Sequence, residues 1–178
     1  MNTIVMKFGG TSVANVNKIK KVAETVIKES KNNKIIVVLS AMAGVTNQLQ
    51  TYINEINSHP SKETDLILTS GEQVTIGLLS MILNKKGVKS IPLLGWQIPI
   101  ITDESHEKGR ILNIDNQNIE EYLKIYDVIV LAGFQGVNKC GEITSLGRGG
   151  SDTTAVAIAT SIKAERCDIY TDVDGVYT

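Results

Sequence analysis

Cysteine is scarce in this chain: Cys140 and Cys167 are the only two, and they form no CxxC pair. That excludes a disulfide framework and fits a reducing, cytoplasmic setting. The two histidines, His59 and His106, lack the spacing of zinc ligands, so no protein-held metal is expected. Charge of one sign is also missing. Eighteen basic residues stand against 19 acidic ones, a net charge of −1, which removes the electrostatic case for nucleic acid or an anionic membrane. No apolar run reaches the roughly 20 residues of a membrane span. The N-terminus enters the apolar stretch Ile4–Phe8 without a charged leader, which argues against a cleaved signal. Neither a GxxxxGK[ST] loop nor a GxGxxG after a strand occurs, so the two commonest nucleotide-binding fingerprints are excluded.

What is present reads as one globular domain. Hydrophobic residues make up 42% and charged residues 21% of 178, the proportions of a chain that can bury a substantial core. Short apolar runs alternate with helical periodicity. Ile4–Phe8, Ile35–Leu39 and Val128–Ala132 read as strands, the second as one buried on both faces and the third as a core strand. Ile19, Val22, Ala23, Val26 and Ile27 follow the rhythm of an amphipathic helix, and Leu49, Tyr52, Ile53 and Ile56 mark a second. Leu66–Leu83 is helical but apolar nearly all round, with a break expected at Thr69-Ser70-Gly71. Val88–Leu94 and Ile111–Ile114 read as strands, residues 95–110 as an excursion with short extended pieces, and Ile119, Tyr122 and Leu123 as one face of a short helix. A hairpin is expected around Asn138–Gly141, then a helix over Ala155–Ile162 capped by Ser151 or Asp152, and a last strand over Asp168–Thr171. Strand–helix alternation of this kind predicts an α/β fold, a three-layer αβα sandwich around a mainly parallel sheet.

In such sheets ligands gather at the carboxyl ends of the strands, and that is where the glycine turns fall. Lys7 ends the first strand beside Gly9-Gly10, where an ammonium and backbone N–H groups can face a transferring phosphoryl group. Ser40 ends the second strand, and Thr46-Asn47 precede a helix. Glu72 lies beside Gly71 on an otherwise apolar helix, where a carboxylate is costly unless paired or hydrated. Gly147-Arg-Gly-Gly-Ser-Asp152 opens a helix, an anion-binding corner to which Arg148 adds a guanidinium. Taken singly, each has a plainer explanation: a strand-end lysine, a helix cap, a first-turn carboxylate complementing the dipole. Asp172 and Asp174, near the end of the chain, either hold a metal-bound nucleotide or make a turn. Together these residues suggest one cleft.

Lys7-Phe-Gly-Gly-Thr-Ser12, Ser40–Asn47, Ser70-Gly-Glu72, Gly133-Phe-Gln-Gly136, Leu146-Gly-Arg-Gly-Gly-Ser-Asp-Thr-Thr-Ala155 and Tyr170–Thr178 resemble, in order, the aspartokinases of the amino acid kinase family. The short interval between Asn47 and Ser70 resembles the compact members. The resemblance implies transfer of the ATP γ-phosphoryl group to the side-chain carboxylate of L-aspartate, with Mg2+ bound through the nucleotide phosphates. That step leads towards lysine, threonine and methionine. It implies Lys7 and Asp152 as the catalytic pair. It places Ser40, Thr46, Glu72, Arg148, Gly149, Gly150, Ser151 and Asp152 around aspartate: Arg148 on the α-carboxylate, Asp152 on the ammonium, Glu72 pairing with Lys7 or that ammonium. Lys7, Gly9, Gly10, Thr11, Thr171, Asp172 and Tyr177 fall on the nucleotide side. The same resemblance implies that residues 1–178 are an incomplete catalytic domain, the aspartate-binding lobe plus the start of the nucleotide lobe, truncated at the C-terminus and without regulatory ACT domains. Such a chain is expected to bind ATP weakly and turn over poorly. Two other readings stand beside this one: another family member with glutamate, acetylglutamate, carbamate or a nucleotide as acceptor, and a non-catalytic remnant. Relatives of full length oligomerise; the sequence does not fix this for the chain itself.

Overall fold

The computed structural model describes residues 2–56 and 59–171. Along the chain, β1 (Asn2–Phe8), α1 (Val16–Ser30), β2 (Asn33–Leu39), α2 (Val45–Ile56), α3 (Lys62–Leu68), α4 (Ser70–Lys85) and β3 (Ser90–Leu93) come first. Then follow β4 (Ile100–Thr102), β5 (Ile111–Ile114), α5 (Asn116–Ile125), β6 (Val128–Ala132), β7 (Gln135–Val137), β8 (Ile143–Ser145), α6 (Gly150–Ser161) and β9 (Arg166–Tyr170).

Five strands form one sheet in the order β3-β6-β2-β1-β9, every neighbouring pair parallel. Because side chains alternate along a strand, this sheet feeds two cores. Ile4, Met6 and Phe8, Ile35, Val37 and Leu39, and Val128 and Val130 pack on one face with Ile19, Val22 and Val26 of α1 and Ile76, Leu79 and Leu83 of α4. Val5, Ile36, Val38, Ile129 and Leu131 pack on the other with Ile119 of α5 and Ala155 and Ile158 of α6. At about 1.5–3 kcal/mol for each large side chain taken fully out of water, these two layers hold the sandwich together. The predicted three-layer α/β fold is therefore the observed one.

A second sheet, β5-β4-β7-β8, joins the expected strand at Ile111–Ile114 and the expected hairpin to β4, the one strand from the stretch with the fewest sequence cues. Its β7–β8 hairpin is closed by Asn138, whose side-chain oxygen accepts the N–H groups of Cys140 and Glu142, both at 3.0 Å.

The break between α3 and α4 falls at Thr69, as expected. Its hydroxyl and N–H both turn back to the Asp65 carbonyl, at 2.8 and 3.0 Å. By length and composition Lys62–Lys85 could cross a membrane, an 18-residue window within it having a mean hydropathy of 1.5, but half of that window is buried inside the fold. The run is apolar because α4 packs against α1, β3 and β6.

One expectation fails. Helix α6 is capped by neither Ser151 nor Asp152. It starts at Gly150, preceded by Gly149 at φ 76°, with no side-chain cap. That left-handed backbone is open to glycine at little cost, and it frees both polar side chains from capping. Ser151 packs against Gly133, where an added methyl group would come within 2.8 Å of it. Asp152 turns toward β1.

Candidate functional site

The carboxyl ends of β1, β2 and β6 are tied to one another by backbone hydrogen bonds that continue past the strands. Ser40 N–H reaches the Phe8 carbonyl at 3.2 Å, Ala43 N–H the Gly10 carbonyl at 3.1 Å, and Gly133 N–H the Leu39 carbonyl at 2.9 Å. Gly10 has to be glycine for this: a Cβ there would lie 2.9 Å from the Ala41 carbonyl. With the first turns of α2, α4 and α6, these loops enclose a cavity of about 500 Å3.

Lys7, at the end of β1, is buried, and its ammonium lies beside the Gly9 turn, 3.4 Å from where a Cβ on that glycine would be. Nζ sits 2.6 Å from Oδ1 of Asp152. The two make a charge–charge contact, and this oxygen is buried. The Asp152 side chain as a whole is half-exposed to the cavity.

Glu72 occupies the first turn of α4. Gly71 lets that turn close on the loop after β2, since a Cβ there would fall 2.7 Å from that of Ala41. The contact brings Glu72 Oε1 to the Ala41 N–H at 3.0 Å and leaves Oε2 buried without a partner. Burial pushes the Glu72 carboxyl up to about 7, against the lowering effect of the Ala41 N–H. In this state Glu72 does not pair with Lys7; the lysine's partner is Asp152. The reason is geometric: β1 and α6 are packed neighbours, while Glu72 is held by the loop after β2.

Ser40, Thr46, Gly149, Gly150 and Ser151 also line the cavity, and Arg148 stands exposed at its rim. Eleven predicted residues thus meet in one place: these six with Lys7, Gly9, Gly10, Glu72 and Asp152. Thr11 and Thr171 do not. They line a separate groove with Phe8, Tyr170, Lys18 and Lys21, where Tyr170 stacks on Phe8 with ring centroids 4.4 Å apart. Asp172 and Tyr177 lie outside the described residues.

Sequence reasoning missed Glu107, Ser145, Gln50 and Leu68, which also line the cavity. Phe134, on the same wall, has φ 69°, and its N–H is held by the Thr154 hydroxyl at 3.1 Å. Strained backbone of this kind persists where the surroundings over-determine it, often at sites. Its position in a turn after a core strand was the available signal. Among the described residues no cluster of three or more His, Cys, Asp or Glu side chains could hold a metal ion.

Chemically, the cavity offers an ammonium beside two glycines, a guanidinium, and carboxylates from α4, α6 and the loop before β5. It suits a small ligand carrying charges of both signs, next to an anion facing Lys7.

Comparison with known proteins agrees with this arrangement. An aspartokinase of Geobacillus stearothermophilus is 53% identical over 180 positions, and one of Rickettsia felis is 51% identical over 183. Both alignments take in all of this chain but only 44% and 46% of the relative, so the chain spans less than half the length of the curated relatives it matches. Among solved structures, E. coli aspartokinase III in complex with aspartate and ADP superposes with a TM-score of 0.85 at 26% identity, over 99% of this chain and 50% of that one. The aspartate kinase of Synechocystis gives 0.80 at 43% identity, over 97% of this chain and 29% of that one. The family model described as the amino acid kinase family matches residues 2–178. With its sandwich, its glycine loops at the strand ends and this match over nearly its whole length, the chain belongs to the amino acid kinase family.

Proposed function

We propose that residues 1–178 form the aspartate-binding lobe and the first part of the nucleotide lobe of an aspartate kinase. The reaction moves the γ-phosphoryl group of MgATP to the side-chain carboxylate of L-aspartate. A carboxylate oxygen forms the new bond to phosphorus as the bond to the β-phosphate bridging oxygen breaks, giving 4-phospho-L-aspartate and ADP. No proton transfer is required, so the protein's task is to position two anions and offset their repulsion.

The observation that carries this reading is the joint placement of Lys7, Asp152, Glu72 and Arg148, from three elements and one turn, around a single cavity. Lys7 with the Gly9-Gly10 turn faces the transferring phosphoryl group. Arg148 forks onto the α-carboxylate of aspartate. Asp152 takes the ammonium group, a role compatible with its half-exposed carboxylate and its charge contact to Lys7. Thr46, Ser40 and the N-terminal turn of α6 complete the aspartate side, and Glu72 faces the ammonium with a carboxyl that titrates near neutrality. Magnesium would enter with the nucleotide, held by its phosphates. Thr11, Thr171, Asp172 and Tyr177 belong to the nucleotide side in this reading. The aspartate and ADP named for the E. coli neighbour support the same pair of ligands.

The test is ADP release with the acceptor exchanged. Aspartate should be preferred over glutamate, N-acetylglutamate, carbamate and nucleoside monophosphates. Preference for any of these overturns the assignment.

A further inference from the structure

Asp65 of α3 is fully buried and lies outside the cavity. It accepts from three groups far away in sequence: Ser145 Oγ at 2.5 Å and Glu107 N–H at 3.0 Å on Oδ1, and His106 Nδ1 at 2.8 Å on Oδ2. A buried ionic network of this kind commonly gives no more stability than apolar residues of equal volume. Its presence calls for a reason other than stability.

The two segments it holds supply one. Residues 103–110 form a loop closed at its base by Asp103, which accepts from Ser105 and Arg110 N–H and donates its own N–H to the Arg110 carbonyl. The tip, His106-Glu107, docks on Asp65, and Gly109 N–H bonds the Ser145 carbonyl at 2.8 Å. Two residues on, Gly147 packs against the Glu107 carbonyl so closely that a Cβ would approach it to 3.2 Å. Gly147 then closes the turn through its carbonyl to Gly150 N–H at 3.1 Å. Arg148 sits inside that turn. Its own side chain is exposed, so the backbone under it has to be fixed from outside.

We infer that Asp65 is a positioning residue: through Ser145, His106 and Glu107 it fixes the turn that presents Arg148 to the substrate. This rests on the reading that Arg148 binds the α-carboxylate of aspartate. Asp65 touches no reacting atom. It sets where the guanidinium begins, and a small displacement there misplaces a long side chain.

Asp65→Ala risks the fold, so the test uses His106→Ala, which leaves Asp65 two donors, and Asp65→Asn, which keeps an oxygen for Ser145 and Glu107. In His106→Ala, amide exchange over residues 145–150 should quicken while β1, β2 and β6 stay protected. Calorimetry with L-aspartate should show a Kd raised about 5- to 10-fold, the scale of one lost orienting hydrogen bond. In an Arg148→Ala background the same change should do nothing further, because a positioning effect needs the residue it positions. Asp65→Asn, which keeps the Ser145 and Glu107 bonds and gives up the oxygen facing His106, should weaken binding by no more than about 10-fold. Unchanged exchange over 145–150, or an equal loss of affinity with and without Arg148, overturns the inference. If the parent chain fails to bind aspartate, the substrate reading falls, and the exchange result alone decides the positioning role.

Discussion

Lys7 and Asp152 bring opposite charges to 2.6 Å in the wall of the cavity, one from the end of β1 and the other from the first turn of α6. The contact keeps the Lys7 ammonium beside the Gly9 turn. On the proposed reading, a substrate ammonium at Asp152 would compete with Lys7 for the carboxylate and leave Lys7 to the phosphoryl group, linking the two halves of the site.

Lys7→Ala follows from this. Whatever rate of aspartate-dependent ADP release the chain sustains should fall by about 100-fold or more, the scale of losing one charge aimed at a transition state. The melting temperature should shift by only about a few degrees, since no cavity opens in either core. A variant within about tenfold of the parent rate would contradict the role.

Glu72 makes a prediction in pH. Its folded value of about 7 lies above the ordinary 4.5, so between these limits the native state holds a proton that the unfolded chain has released. Stability from this group is therefore full below about pH 4.5 and is lost as pH rises toward about 7, in total on the order of 3 kcal/mol. Glu72→Gln keeps an acceptor for Ala41 N–H and removes the titration. Urea unfolding at about pH 5 and about pH 8 should show the variant gaining on the parent at the higher pH by roughly 2–3 kcal/mol. An equal difference at both values would mean that the carboxyl titrates normally.

Thr154 holds Phe134 in its left-handed conformation, accepting its N–H at 3.1 Å and donating to the Gly150 carbonyl at 2.8 Å. Thr154→Val keeps the shape and removes both bonds. Leaving that N–H without a partner should cost about 1–3 kcal/mol in denaturant unfolding, and aspartate binding should weaken with it. A neutral substitution would show that Phe134 is held by packing alone.

The layers of the fold were legible because the signal was local. Ile35–Leu39 and Val128–Ala132 are continuous apolar runs, and their alternate residues do enter the two separate cores. The strand Ile100–Thr102 was unreadable because three residues carry no period, and its existence depends on partners at Ile111–Ile114 and Val137. Asp65 looks in sequence like an acidic residue in a helix's first turn, which is also true of it. Its burial depends on His106, Glu107 and Ser145, which only the fold brings near. The expected cap at Ser151 or Asp152 failed because Gly149, in left-handed backbone, begins the helix in their place. Asp152 is spent on Lys7 instead.

The central claim is that this cavity recognises an unblocked α-amino dicarboxylate through Arg148 and Asp152. The most direct measurement is calorimetric binding of L-aspartate and N-acetyl-L-aspartate to the parent chain and to Arg148→Ala. The account predicts that the parent binds L-aspartate, that Arg148→Ala binds it at least about 10-fold more weakly for want of the bidentate pair, and that the N-acetyl compound does not bind. Equal affinity in parent and variant, or binding of the acetylated ligand as tight as that of aspartate, would contradict it.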